Sequence, residues 1–312
     1  TFTNGYAYAK FRNIGSLEIT AGASYENVSA PVGLLPPRDY LVIPGAIAYD
    51  DHRVSPKIGL NAYLSSKTVL RAAAYYRLSP AIGRLQTLEP TQMGGFNQFF
   101  DDQGGTWSKN YGVGVDQTFA HNLFGGLSVL RRHLDIPEAS CDTPDPVIGC
   151  VGQQVTNVDG RHSDDWLGSS YVNGTMGKHV AMSAEYSYEQ RDFNFTQVTQ
   201  TGGFEDFVKT QRLRPQVRIF FASGLFAGAR ATKYDQSIDQ FDDLSSSART
   251  TAKSDFWIGD VQVGYLLPHR WGTITLDALN VTDQEFVLYH SSLEENVVPA
   301  RTVMLSVRFA SN

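Results

Sequence analysis

Long apolar runs are missing from this 312-residue chain. No stretch approaches the roughly 18 residues that a membrane-crossing helix requires, and the greasiest patches are about five to seven long. A helical anchor is therefore excluded, whereas strands that send only alternate side chains to lipid are not. Charge is also sparse: charged residues make up 19%, and a net charge of −6 argues against nucleic acid as a partner. The histidines, His52, His121, His133, His162, His179, His269 and His290, never fall at i, i+2 or i, i+4, so their spacing predicts no metal site. No G-x-S-x-G, H-E-x-x-H, C-x-x-C or P-loop pattern occurs, and Gly112-x-Gly114 lies in a strand-like segment with no helix after it. With no nucleophile, nucleotide cradle or cofactor to expect, the chain does not read as an enzyme. Thr1-Phe2-Thr3-Asn4 lacks the basic start and apolar middle of an export signal, so an exported chain would be a mature form or the C-terminal part of a longer protein.

What is present is β-type. Gly 28, Tyr 15 and Phe 18 accompany apolar/polar alternation along the whole length. The alternation predicts an all-β chain of about thirteen strands. They are Phe2–Arg12 and Gly15–Glu26, Val54–Leu64 and Lys67–Leu78, Asn110–Phe119 and Leu123–Arg132, Trp166–Thr175 and Lys178–Gln190. Phe207–Phe221 and Leu225–Asp235, Phe256–Leu267 and Trp271–Val281, and a closing Arg301–Phe309 complete the set. Within each pair the link is short, the first at Asn13-Ile14; between pairs lie polar loops such as Asn27–Arg53, Ser79–Lys109 and His133–Asp165. That asymmetry is the mark of an antiparallel transmembrane β-barrel of the bacterial outer membrane, with short periplasmic turns and long extracellular loops. The competing reading is a soluble β-sandwich or propeller, but that would bury both faces of some strands, and few strands read so. Residues 1–312 then form one barrel domain. An odd strand count, against the even counts of single-chain barrels, predicts at least one further strand and an N-terminal domain before Thr1.

An arginine facing lipid at mid-membrane costs roughly 2–4 kcal/mol, so mid-strand charges must face a wet interior. Arg71, Arg77, Arg212, Arg214, Arg218, Arg230 and Arg308 are the lumen-lining candidates, countered by Glu18, Glu185, Glu189, Asp116, Asp260 and Asp277. Two readings stand: a ladder of opposite charges that stiffens the wall, or an electrostatic lining for an anionic solute or polymer. Tyr6, Tyr8, Tyr75, Tyr76, Trp107, Tyr111, Trp166, Tyr186, Tyr188, Trp257, Tyr265 and Trp271 sit where interfacial girdles are expected. The loop run Phe96-Asn97-Gln98-Phe99-Phe100 offers three phenylalanines, either to a constriction inside the lumen or to a partner. Acidic pairs at Asp50-Asp51, Asp101-Asp102, Asp164-Asp165, Asp242-Asp243 and Glu294-Glu295 read as solvated loop charge, as Ca²⁺ ligands or as bridges through divalent cations to lipopolysaccharide.

The end of the chain resembles the C-terminal strands of TonB-dependent-receptor-like outer-membrane barrels. Leu276-Asp277-Ala278-Leu279-Asn280-Val281-Thr282-Asp283-Gln284-Glu285-Phe286 is similar to their penultimate strand and the turn that leaves it. Pro299-Ala300-Arg301 followed by alternation to Phe309 is similar to their closing strand, and Ser55-Pro56-Lys57-Ile58-Gly59-Leu60 with Leu70-Arg71-Ala72 to a mid-barrel hairpin. Barrels fused to tetratricopeptide repeats for polysaccharide export share a similar end. The chain departs from the family in showing neither plug nor TonB-interaction box, and in carrying Ala310-Ser311-Asn312 after Phe309. The resemblance implies multi-pass outer-membrane transport, contact with lipid and lipopolysaccharide, and help from barrel-assembly machinery. The alternatives are an export pore for an anionic polysaccharide, fed by a periplasmic domain, or a structural barrel sheathing a partner protein. Cys141 and Cys150, close together in a Pro/Asp/Gly-rich loop, read as a local disulfide. A thiol reagent should label them only after reduction; labelling of both without reductant would refute the pairing.

Overall fold

The computed structural model describes residues 2–31, 48–79, 89–100, 102, 104–140, 157–194, 204–241, 249–268, 271–286, 288 and 300–309. Its strands are β1 (Phe2–Ile14), β2 (Leu17–Pro31), β3 (Ala48–Ser65), β4 (Thr68–Leu78), β5 (Gln92–Met93), β6 (Phe96–Asn97), β7 (Trp107–Ala120) and β8 (Leu123–Ser140). They continue as β9 (Asn157–Met176), β10 (Val180–Asn194), β11 (Phe204–Phe220), β12 (Leu225–Phe241), β13 (Arg249–Leu266), β14 (Gly272–Leu279) and β15 (Thr302–Phe309). Thirteen of them form one sheet in the order β1-β2-β3-β4-β7-β8-β9-β10-β11-β12-β13-β14-β15; β5 and β6 make a separate hairpin. Every neighbour in the large sheet is antiparallel and consecutive along the chain, apart from the step over that hairpin. No described helix is long and apolar enough to cross a membrane.

Alternation along the strands makes two chemically distinct faces. On one, Val303, Leu305, Val307 and Phe309 are exposed, at 64%, 68%, 50% and 76%, with none of the described residues layered over them. Val54, Ile58, Val113, Leu127, Leu213, Ile219 and Val263 continue this outer face. A row of open aliphatic side chains on strand after strand is a surface made for hydrocarbon. The other, inner face carries Glu26, Lys57, Arg77, Asn110, Arg132 and Asp165, all buried. Trp166–Thr175, where small residues blur the pattern, still obeys it: Trp166 and Val172 are exposed on the outer side, and Leu167 packs inward.

Two local predictions need correction. The first turn is at Gly15-Ser16, not Asn13-Ile14. Gly15 takes φ 64°, a left-handed conformation that glycine adopts without strain, after an irregularity between Phe11 and Ile14. The strands also outrun their apolar patterns. β8 has 18 residues and β9 has 20, and their ladder runs on through Asp135↔His162 to Ser140↔Asn157. Crossing a membrane takes about 9–11 residues. Backbone pairing does not need apolar side chains, so it continues where alternation has faded.

The exit from β14 gives the penultimate-strand motif its physical content. Asn280 and Asp283 hold φ 48° and 54°, and the Asn280 side chain accepts from the Gln284 backbone N–H at 2.9 Å. Asp283 accepts from the Arg301 N–H at 2.9 Å, tying the start of the closing strand to this turn. Phe286 then stacks on Phe256 with ring centres 4.2 Å apart. The two-faced wall predicts that Val263→Arg, on the outer face, costs about 2–4 kcal/mol in a bilayer, depending on its depth. Ser183→Arg, on the inner face, should cost far less; urea unfolding in lipid vesicles measures both, and equal costs would contradict the assignment of faces.

Candidate functional site on the inner face

The described residues of the connection from β4 to β7, Glu89–Phe100 among them, do not project away from the sheet; they lie on the inner face. Gly94 and Gly95, at φ 56° and 82°, form the tight turn between β5 and β6. Gly94 rests directly on β3: a Cβ at Gly59 would collide with its backbone, and one at Gly112 would collide with the Phe96 ring. These glycines let a hairpin touch a sheet backbone to backbone. Met93 and Phe96 are consequently buried against Ala73, Tyr75 and Leu130.

Each phenylalanine of the connection meets an inward arginine. The Arg71 guanidinium lies 5.4 Å from the Phe96 ring centre, Arg132 3.8 Å from Phe99, and Arg77 3.7 Å from Phe100. Such contacts are worth about 0.5–1 kcal/mol in water and roughly 2 when dry. Arg77 is only 2% exposed.

Carboxylates delivered by the connection complete the site. Glu89, 2% exposed, forms an ion pair with Lys57, accepts a hydrogen bond from the Tyr8 hydroxyl, and lies 3.4 Å from Arg77 and 3.3 Å from Asn4. Glu26 stands behind it, 4.0 Å from Lys57, accepting from Ser24 at 2.7 Å, from Ser55, and from the Leu78 N–H at 3.2 Å. Asp102 meets Arg132 at 2.6 Å, and Arg132 also reaches Asn110 at 3.1 Å and Asp165 at 3.6 Å. Tyr75 donates to the Asn97 carbonyl at 2.5 Å. Buried ions of this kind are tolerable only because each has counter-charge and hydrogen bonds. Glu89 lies in the connection, outside the spanning strands. Burial pushes its carboxyl up, but Lys57, the Tyr8 hydroxyl and Arg77 outweigh that and hold it below the usual carboxylate range.

Beyond β9 the inner face is a ladder of charges. Arg214 pairs with Glu185, and Arg230 with Asp260 at 2.6 Å, as Arg71 of β4 pairs with Asp116 of β7 at 2.6 Å nearer the connection. Arg218 donates to Gln262 at 2.8 Å, and Gln262 to Asp277 at 2.6 Å. Among the described residues Arg212, Arg218 and Arg308 form no ion pair. Arg218, Arg230, Asp260 and Asp277 line one small cleft, and Arg212 lines another with Glu185 and Tyr171.

Several expectations change here. Tyr8 and Tyr75 belong to no girdle: they point inward and bond to the connection, because their register is that of Gly22 and Lys57. The half-buried Asp102 and the buried Asp165 are partners of Arg132 rather than solvated loop charge. Histidine spacing showed no cluster, yet the β8–β9 register brings His133 and His162 together on the outer face. Lys57, Glu89 and Arg132 were missed as site residues, since their partners arrive from a loop with no periodicity to read. Cys141, Cys150, Asp101, Asp242, Asp243, Glu294 and Glu295 lie outside the described residues.

Glu89→Gln would leave Lys57 and Arg77 short of counter-charge, at a cost of about 3–5 kcal/mol. Because its folded pKa is depressed, the tether is fully present above the unfolded value of about 4.3 and is lost as pH falls through the lower folded value. Amides of residues 92–100 should exchange faster in the variant, and in the parent protein once pH falls below that lowered value. Unchanged exchange in Glu89→Gln would show that the tether does not hold the connection.

No protein-family profile and no curated protein matches the chain. Among solved structures it is similar to that of the FpvAI–pyocin S2 complex, with 14% identity and a TM-score of 0.61 over 99% of this chain and 39% of that one. The siderophore receptor PiuA from Acinetobacter baumannii matches with 12% identity and a TM-score of 0.49, over 89% of this chain and 47% of that one. The chain thus spans less than half the length of either. Its fold is that of the outer-membrane β-barrels of TonB-dependent receptors.

Proposed function

We propose that this chain is wall and inner lining of a transport protein in the bacterial outer membrane, passing a solute without covalent chemistry. The observation that carries this reading is the pairing of an open aliphatic outer face with a charged inner face on one continuous sheet. A wet, charged surface on the back of lipid-facing strands serves passage or occlusion and little else. Long connections on the end opposite the tight turns would meet solute or partner outside. The FpvAI structure, a complex with a pyocin, supports such a role by analogy.

The two parts of the inner face divide the work. Over β1–β4 and β7–β9 the β4–β7 connection fills space and narrows any path. Over β10–β15 the lining is left to the charge ladder, where Arg212 and Arg218 are not matched by carboxylates among the described residues. That excess favours anions, and so also supports the second reading, an export pore for an anionic polymer. Neutralising Arg212, Arg214 and Arg218 together to glutamine should shift the ion selectivity of the intact protein in planar bilayers toward cations. Unchanged selectivity would leave these arginines as wall struts only.

A further inference from the structure

A histidine cluster on the outer face of β8 and β9 has no part in the lumen. Leu127 and Val129 open this stretch of β8; Trp166, with Arg131 5.5 Å from its ring centre, follows at the register position Arg131↔Trp166. One step further along the same face come His133↔Asp164, and then Asp135↔His162. At about 3.4 Å of rise per residue, the cluster begins roughly 7 Å beyond the aromatic position, toward the β8–β9 connection. It therefore lies past the apolar band, where water and ions reach it.

The geometry is that of ligands gathered around one point. The His133 and His162 rings are stacked, 5.9 Å between centres and 13° between planes. Asp135 Oδ1 is 3.4 Å from His133 Nε2 and 2.7 Å from His162 Nδ1, and the three candidate ligand atoms all lie within 4.8 Å of one another. Ligand atoms about 2.0–2.1 Å from a tetrahedral ion stand roughly 3.3 Å apart, so to hold an ion Asp135 and His162 must open slightly and the two imidazole nitrogens, within 4.8 Å of each other, must settle near that spacing. Asp164 Oδ1 lies 3.3 Å from His133 Nδ1, and Arg131 holds Asp164 at 3.2 Å. A carboxylate that accepts the Nδ1 proton leaves the Nε2 lone pair facing Asp135, the arrangement that orients metal-bound histidines. Lys109, 3.8 Å from Asp135, offsets part of the negative charge, so affinity must come from the donors rather than from a general attraction for cations.

We propose that His133, Asp135 and His162 form a binding site for a first-row divalent transition ion of the zinc type on the outward-facing end of the wall, with Asp164 as the residue that positions His133. Two imidazoles and one carboxylate suit zinc and its neighbours, and leave a coordination position for water or an external ligand. Calcium and magnesium prefer all-oxygen sites. The rival explanation is a pair of histidines that merely hydrogen-bond to the carboxylates across the ladder.

The test is a calorimetric titration of ZnCl₂ into the intact, detergent-solubilised protein purified without a polyhistidine tag. Co²⁺ absorption serves as a reporter of coordination. The parent protein should take up one zinc per chain. His162→Ala and His133→Ala should lose that uptake, and Asp164→Asn should weaken it by about tenfold or more, the usual effect of removing an orienting partner. His121→Ala, in the turn at the other end of β8, should titrate like the parent. Heat-modifiable migration on gels verifies that each variant is folded, as expected for side chains that are a third to a half exposed. No zinc uptake by the parent protein, or uptake that survives both histidine substitutions, would overturn the proposal.

Discussion

Lipid offers no partner to a backbone N–H or C=O, and most of this structure follows from that constraint. Each strand pairs its hydrogen bonds with the next, which gives a thirteen-strand sheet ordered along the chain, with tight turns between paired strands and β1 and β15 at its two ends. Once the backbone is committed to that ladder, side chains have only two directions to take. Apolar residues go to one and charged residues to the other. The sheet's stability therefore comes from its hydrogen-bonded register, its hydrophobic match to the bilayer, and whatever packs on the inner side.

The inner side is where the constraint bites hardest. Lys57 and Arg77 lie buried on the neighbouring strands β3 and β4, and Arg132 on β8, one strand beyond β7; buried cations without partners would be prohibitively costly. The chain solves this with its own β4–β7 connection, which supplies Glu89 and Asp102 as counter-charge and Phe96, Phe99 and Phe100 as faces for the guanidinium groups. The same segment thus closes a hydrogen-bonding deficit and fills space above seven strands. Packing and function are hard to separate here: what neutralises the lining also narrows it.

The faces of the strands were legible in the sequence because their period is two. Leu213, Val217 and Ile219 point outward and Arg212, Arg214 and Arg218 inward, as alternation predicted. Strand ends were not legible, because β8 and β9 stay paired through polar residues after their apolar signal stops. Nor was the destination of the phenylalanine run: Gly59 and Gly112, which admit the hairpin, look like ordinary strand glycines until the hairpin is placed on them. His133 and His162 are far apart in sequence and become neighbours only through register. Contacts made by periodic elements with each other could be read; contacts that a loop makes with a sheet could not.

The division of the sheet into a lipid face and a water face can be measured residue by residue. Spin labels placed singly at Val180, Ala181, Met182, Ser183 and Ala184 of β10, in a variant lacking Cys141 and Cys150, report access to oxygen dissolved in the bilayer and to a water-soluble nickel complex. Labels at 180, 182 and 184 should favour oxygen, and those at 181 and 183 nickel. Equal access to the nickel complex at all five positions would contradict the account.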